Sequence, residues 1–289
     1  MSKTASTLIG FMAILLWALL ALFTAATGSV PPFQLMAMTF ILGAMIGVIS
    51  WIFRPHAIRE LRQPVGVWLL GVLGLFGYHF SYFTALKNAP PIEAGLIAYL
   101  WPLLIVLFSA LLPGEKLRWY HLVGSALGLS GAALVITGGV GFAFRAEYSF
   151  GYAMAFLCAL IWSGYSVLSR RFSDISTDII TGFCLVTAIL ALAAHFLMEE
   201  TVWPQTSVEW WAIVSLGLGP VGLAFYVWDY GVKQGDIQVL GAASYLAPLL
   251  STLALVGTGF AEFTPVIGLA CVLITVGAVV AAKEIICRG

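Results

Sequence analysis

Long apolar runs alternate along the chain with short clusters of charge, proline and glycine. With those clusters read as punctuation, ten runs approach or reach the roughly 20 residues that cross a bilayer as a helix. They cover 8–27, 33–53, 65–86, 92–112 and 119–138, then 149–168, 176–198, 211–231, 238–258 and 264–283. The connections are short, so no soluble domain, low-complexity tract or long linker is predicted. The first run is too long for the apolar core of a signal peptide and has only Lys3 ahead of it. It also parallels the sixth, with Trp17, Ala21 and Thr24 answering to Trp162, Ser166 and Ser169.

Composition turns these runs into a class. Hydrophobic residues make up 61% of the 289 and charged residues 9%, against about 25% charged in soluble domains. The mean hydropathy is +1.03. A soluble fold cannot cover so much apolar surface with so few charges, so an all-α integral membrane protein in a lipid bilayer is predicted.

The pattern also repeats. Tyr78 to Leu107 and Ala224 to Leu253 align without a gap at an offset of 146 residues. Lys87, Gly95, Tyr99, Leu100, Pro102, Leu103, Leu104 and Leu107 recur as Lys233, Gly241, Tyr245, Leu246, Pro248, Leu249, Leu250 and Leu253. Internal repeats of membrane-length segments mark many secondary transporters.

Charge gives the repeat a direction. With the N-terminus in the cytoplasm, 11 of the 13 Lys and Arg residues fall on the inner side, including Arg54, Arg170, Arg171, Lys233 and Arg288. Only Lys87 and Arg145 fall outside, beside Glu93, Glu147, Glu199, Glu200, Glu209 and Glu262. The positive-inside rule therefore predicts both termini in the cytoplasm. Five runs per half is an odd number, so the second half enters the membrane the other way up. The expected architecture is ten transmembrane helices in two inverted five-helix repeats, 1–145 and 146–289. Duplication that supplies only packing symmetry is the competing explanation.

The ten runs and the twice-used pattern Ala-Leu-Lys…Gly…Tyr-Leu-x-Pro-Leu-Leu (Gly-Val-Lys in the second copy) resemble the EamA branch of the drug/metabolite transporter superfamily. Within that branch, the aromatic-rich runs Tyr78-His79-Phe80-Ser81-Tyr82-Phe83 and Tyr99-Leu100-Trp101-Pro102 are most similar to the aromatic amino acid exporters. The resemblance covers essentially the whole chain. It implies an exporter of the bacterial inner membrane with a central cavity between its halves.

Individual residues point to the same place. At helical spacing, Gly71, Gly74, Tyr78, Tyr82 and Ala85 share one face, as do Gly217, Pro220, Ala224, Trp228 and Gly231. Such stripes serve either a tight helix seam or a cavity wall. Pro102 and Pro248 interrupt runs four and nine and are candidate hinge or gating positions, with a shape-setting kink as the alternative. Trp17, Trp101 and Trp162 lie near mid-span, where an interfacial belt does not account for them. Trp162 shares a helix face with Ser166, and lining a cavity competes there with packing the core.

The expected substrate site comprises Trp17, Tyr78, His79, Tyr82, Tyr99, Trp101, Trp162, Ser166, Ser244 and Tyr245. The aromatic residues address an apolar moiety, while Ser244, Tyr245 and kinked backbone address a polar end. Asp229 and Lys233 stand at i and i+4, for which pairing is the simple reading and a coupling role the competing one. His79 is either a hydrogen-bonded packing residue or a titrating one.

Several chemistries fall away. No Lys or Arg is placed mid-membrane to hold phosphate, so nucleotide and sugar-phosphate carriers fit poorly. Cys158, Cys184, Cys271 and Cys287 form no Cys-x-x-Cys pair, and there is no nucleotide-binding loop or hydrolase motif. No catalytic residues, cofactor, metal or nucleic-acid partner is expected. Export of aromatic or other hydrophobic amino acids by alternating access is the leading expectation. A multidrug or metabolite exporter, or a non-transporting structural or signalling membrane protein, is the alternative.

Overall fold

The computed structural model describes residues 1–141, 143–257 and 262–283. The last residue of the predicted run 238–258, together with Cys287 and Arg288, lies outside the described residues. The first half contains α1 (Lys3–Trp17), α2 (Leu20–Ala25), α3 (Pro32–Phe53), α4 (Val65–Val72), α5 (Tyr78–Asn88), α6 (Pro91–Ala98), α7 (Trp101–Ser109) and α8 (Trp119–Thr137). The second contains α9 (Ser149–Ser169), α10 (Ile179–Met198), α11 (Ser207–Leu218), α12 (Ala224–Gln234), α13 (Ile237–Ala243), α14 (Leu246–Gly257) and α15 (Pro265–Ala281).

Singly or joined end to end, these helices make nine stretches of 19 to 28 residues that are long and apolar enough to span a membrane, among the described residues. The tenth predicted run is α15, apolar but only 17 residues long. Short connections make successive stretches antiparallel. One face of the bundle therefore gathers Lys3, Arg54, Arg170 and Lys233 at its helix ends. It is termed the basic face, and Lys87, Glu93 and Glu199 lie at the opposite face.

The repeat is visible in the irregularities. A π-helical turn at Leu73–Gly77 joins α4 to α5, and another at Gly219–Leu223 joins α11 to α12. The two are displaced by the same 146 residues as the sequence repeat, as are the starts of α5 and α12 and of α6 and α13. Both broken stretches, α6–α7 and α13–α14, are interrupted just ahead of a proline. Pro102 and Pro248 thus sit in the first turn of α7 and α14, where a missing amide hydrogen leaves no intrahelical bond unmade.

The π turns correct the expectation that each small-residue stripe lies on one face. A π turn adds a residue to the helical circuit and rotates everything beyond it. Gly71 packs against Phe183 of α10 and Gly74 against Tyr165 of α9, while Tyr78 and Tyr82 line the cavity and Tyr78 also meets Trp162 of α9. On the second copy Gly217 packs against Leu42 and Gly231 against Gly10.

Four seams hold the bundle: α1 with α12, α5 with α9, α3 with α10, and α8 with α15. The α1–α12 crossing depends on glycine. A Cβ on Gly10 would lie 2.9 Å from the Gly231 Cα, so the two backbones touch. In lipid this close approach supplies the dispersion contact that water would otherwise reinforce by the hydrophobic effect. The corresponding α5–α9 crossing uses Ala85 and Ala155, both fully buried.

Candidate functional site

The four irregular stretches converge on a cavity of about 150 Å³ in the middle of the bundle. Tyr78, His79 and Tyr82 reach it from α5, just beyond the first π turn. Pro220, Val221 and Phe225 reach it from the second π turn and the start of α12. Ala98, Tyr99 and Trp101 come from the break between α6 and α7, Ala247 from the start of α14, and Trp162 from α9. Trp17 and Leu20 flank the break between α1 and α2.

Seven of the ten expected site residues therefore meet here: Trp17, Tyr78, His79, Tyr82, Tyr99, Trp101 and Trp162. The other three lie outside its wall. The Ser166 hydroxyl accepts a hydrogen bond from Trp228 Nε1 at 3.1 Å. The Ser244 hydroxyl donates to the Leu240 carbonyl at 2.7 Å. Tyr245 is fully buried, and its hydroxyl accepts from the Leu103 amide at 3.1 Å. That amide lies just beyond the α6–α7 break and has lost its helical acceptor, so Tyr245 satisfies the joint of the other half.

Four tryptophans from four helices form the floor toward the basic face. Trp17, Trp101, Trp162 and Trp228 contact one another in every pairing, with ring centroids 5.0 to 6.3 Å apart. Most of these contacts are edge-on or tilted, the arrangement favoured by the ring quadrupole. Two indole donors have fixed acceptors: Trp17 Nε1 donates to the Pro220 carbonyl at 3.1 Å and Trp228 Nε1 to Ser166. Phe225 extends the cluster, stacked on Phe40 at 5.5 Å.

The π turns also decide the polar chemistry. His79 Nδ1 lies 2.7 Å from the Leu75 carbonyl, inside the first turn. A carbonyl only accepts, so Nδ1 carries the proton and the neutral ring keeps a lone pair on Nε2 alone. The Tyr82 and Tyr99 hydroxyls bond to no other described residue. None of the lining residues is charged. The cavity therefore offers aromatic faces, phenols, one imidazole and broken-helix backbone.

The two ends of the cavity differ. Toward the basic face α7 packs against α13, and Gln238 Nε2 donates to Ser109 Oγ at 3.1 Å. At the opposite face the corresponding helices, α6 and α14, make no such packing among the described residues. Among the described residues, the contact that closes the cavity toward the basic face thus has no comparable counterpart at its other end.

The expected site omitted the lining residues Leu20, Ala98, Val221, Phe225 and Ala247, and also Pro220 and Trp228, which lay on a stripe read as either a seam or a cavity wall. A usable signal existed for three of them. The 146-residue offset carries His79 to Phe225, Tyr82 to Trp228 and Trp101 to Ala247. Asp229 and Lys233, expected as an i,i+4 pair, are 2.9 Å apart and sit below the floor. A further depression of about 360 Å³ at the basic face is lined by Arg54 and Asp178, which pair with each other.

Comparison with known proteins follows the same outline. Residues 4–137 and 149–282 each match the EamA-like transporter family. The chain is 55% identical over 282 residues to the aromatic amino acid exporter YddG of Ancylobacter novellus, covering 97% of this chain and 98% of that one. It is 27% identical to the exporters of the same name from Salmonella typhimurium and Escherichia coli, covering 87% of this chain and 88% of each. A crystal structure that is 55% identical superposes with a TM-score of 0.94 over 98% of both chains. These likenesses bear out the narrower resemblance, to the aromatic amino acid exporters of the YddG kind.

Proposed function

Because the chain belongs to the EamA-like transporter family, we propose that it exports aromatic or other hydrophobic amino acids through the central cavity by alternating access. In this reading the ten helical stretches cross a bacterial inner membrane as two inverted repeats, 1–145 and 146–289, with both termini in the cytoplasm. The basic face is then the cytoplasmic one.

The observation that carries the proposal is the composition of the cavity wall. An aromatic side chain finds ring faces and edges from Trp17, Tyr78, Trp101, Trp162 and Phe225 within one site. The amino acid's polar end finds His79 Nε2 as acceptor, and the Tyr82 and Tyr99 hydroxyls as donors or acceptors. Its carboxylate is favoured at the start of α7 and of α14, whose first turns border the cavity at Trp101 and Ala247, because helix N-termini carry partial positive charge. A cavity of about 150 Å³ is smaller than the roughly 300–1,000 Å³ typical of ligand pockets. Binding must therefore part some of the rings, which couples occupancy to the conformation of the helices that bear them.

Counterflow in liposomes tests the reading. Vesicles loaded with unlabelled tryptophan or phenylalanine should accumulate the labelled amino acid above empty vesicles. Flux no greater than in empty vesicles would sink the carrier reading. Repeating the assay with and without an imposed proton gradient decides coupling. Cationic drugs should compete poorly, because no carboxylate lines the cavity; strong competition would favour the multidrug alternative.

A further inference from the structure

Beside the α7–α13 contact and the bonds of Asp229 to Thr177 and of Lys233 to the Ile175 carbonyl, one guanidinium with three anchors ties the closed end together. Arg170 follows the last residue of α9 and is mostly buried, its side chain 19% exposed. Its Nη1 donates to the Val232 and Gly235 carbonyls, both at 2.8 Å. Its Nη2 donates to Glu115 Oε1, also at 2.8 Å. Val232 and Gly235 lie at the C-terminal end of α12, where unpaired carbonyls concentrate negative potential. Glu115 lies in the connection between α7 and α8.

These anchors belong to different packing units. Helices α5, α7 and α9 pack together, and so do α1, α12 and α13. Arg170, at the end of α9, reaches across to α12, while Glu115 on the near side orients it. The rigid planar fork suits this task, since it engages two carbonyls and a carboxylate from one atom group.

Among the described residues, the other end has no arginine placed in this way. The correspondence that pairs Thr24 with Ser169 pairs Arg170 with Ala25, an exposed apolar residue. The repeat pairs Val232 and Gly235 with Leu86 and Ala89 at the end of α5, where the nearby cation, Lys87, lies over the Phe33 ring, and no guanidinium bonds those carbonyls among the described residues. The backbone is duplicated, but the clasp is not.

We propose that Arg170, held by Glu115, is a one-sided clasp that keeps the basic face shut and must release α12 before the cavity can open there. The clasp biases the molecule toward the conformation parted at the opposite face. This inference rests on the carrier reading only for the consequence of opening; the bias itself is a property of the conformational equilibrium.

The test is pulsed electron–electron distance measurement on the full-length protein in liposomes, in a Cys271→Ser, Cys287→Ser background. One label pair spans the basic face, through Leu111→Cys and Gln234→Cys, and a second spans the opposite face, through Ala25→Cys and Asn88→Cys; all four positions are exposed. Without further change the basic-face pair should show mainly its short distance. Arg170→Ala should raise the population with that pair apart by about tenfold, and shorten the other pair in parallel, equivalent to about 1.4 kcal/mol. Arg170→Lys, which keeps the charge but loses the fork, should fall between, and Glu115→Gln should give the smallest shift.

Unchanged distances at both faces in folded Arg170→Ala would overturn the clasp. Should that variant fail to fold, Arg170→Lys decides, and an absence of shift there also overturns it. Counterflow in the same vesicles separates the two ideas. A shift without flux refutes the carrier reading and keeps the clasp, whereas flux without a shift does the reverse.

Discussion

The stretches α4–α7 and α11–α14 are one backbone built twice and dressed differently. Each has a π turn, a short helix, a break and a proline in the next first turn, at matching positions. Yet α7 packs on α13 while α6 and α14 make no comparable contact among the described residues. Tyr245 is buried and bonds the Leu103 amide across the halves, whereas its counterpart Tyr99 stands in the cavity. Trp101 faces the cavity where the other copy has only Ala247, and Trp228 floors it where the first copy has Tyr82. In the proposed mechanism, the common backbone irregularities would let either end open or close. Unlike side chains make a single asymmetric site between them.

The harshest way to break this comparison is at the α1–α12 crossing. Gly231→Leu would drive a side chain into the Gly10 backbone. A loss of about 3 kcal/mol or more is expected, toward the upper end for overpacking. It should be read as a lowered thermal midpoint or a failure to purify folded protein. At the matched α5–α9 crossing, Ala85→Gly should cost only about 1 kcal/mol, chiefly from helix propensity. Comparable losses at both crossings would contradict the glycine dependence of the first.

The next test addresses the tryptophan floor. Trp101→Ala removes its contacts with Trp17, Trp162 and Trp228. Truncating a buried tryptophan costs about 3–5 kcal/mol in well-packed cores. Part of that should appear here as a thermal shift, with at least about a tenfold loss of amino acid counterflow. Ala247→Phe, which adds a ring on the bare copy, should instead narrow the range of transported side chains while flux of small ones persists. Equal effects of both changes on large and small substrates would remove the asymmetry from selectivity.

The two tyrosines give a smaller but cleaner contrast. Tyr245→Phe leaves the Leu103 amide without its acceptor, which costs about 1–3 kcal/mol for a buried donor. Tyr99→Phe removes a hydroxyl bonded to no other described residue and should leave the thermal midpoint unchanged within about 0.5 kcal/mol. By the repeat, closure of the opposite face would bring Tyr99 to the Leu249 amide. Tyr99→Phe should therefore slow transport without changing stability, and normal counterflow with normal stability would count against that exchange.

The smallest effect lies in the connection between α12 and α13. Burial raises the Asp236 carboxyl, but Lys3 at 2.9 Å and the Val239 amide outweigh it and hold the group below its ordinary range. A depressed carboxyl contributes stability above its unfolded value, near pH 4, and loses it as pH falls through the lower folded value. Asp236→Asn should cost about 0.5 kcal/mol at neutral pH, as expected of a pair whose lysine is half exposed, and less in acid. A midpoint difference that grows on acidification would reverse the assigned sign.

Much of this was legible in the residues because it depends on periodic properties. Span positions follow from apolar length, and the broken helices follow from Pro102 and Pro248, since proline has no amide hydrogen anywhere it stands. Seven cavity residues were found because large aromatics in mid-span have few alternatives. Ser166, Ser244 and Tyr245 were harder to place, because a hydroxyl can serve a ligand, an indole or a backbone joint equally well. The π turns were hidden too. Leu-Gly-Leu-Phe-Gly and Gly-Pro-Val-Gly-Leu share no signature for an extra residue per turn, yet they rotate everything beyond them.

By itself the sequence determined the all-helical class, the apolar stretches, the family and the 146-residue repeat. Each is set by composition or by residues near one another along the chain. Only the tertiary structure decided which face of α5 meets the cavity, that four tryptophans from four helices share one floor, and that Arg170 bridges α12 to Glu115. Those outcomes depend on helix rotation and on which end is closed. Both are settled by packing between distant segments, and a repeat that specifies two equivalent backbones leaves the choice of closed end to the side chains that differ.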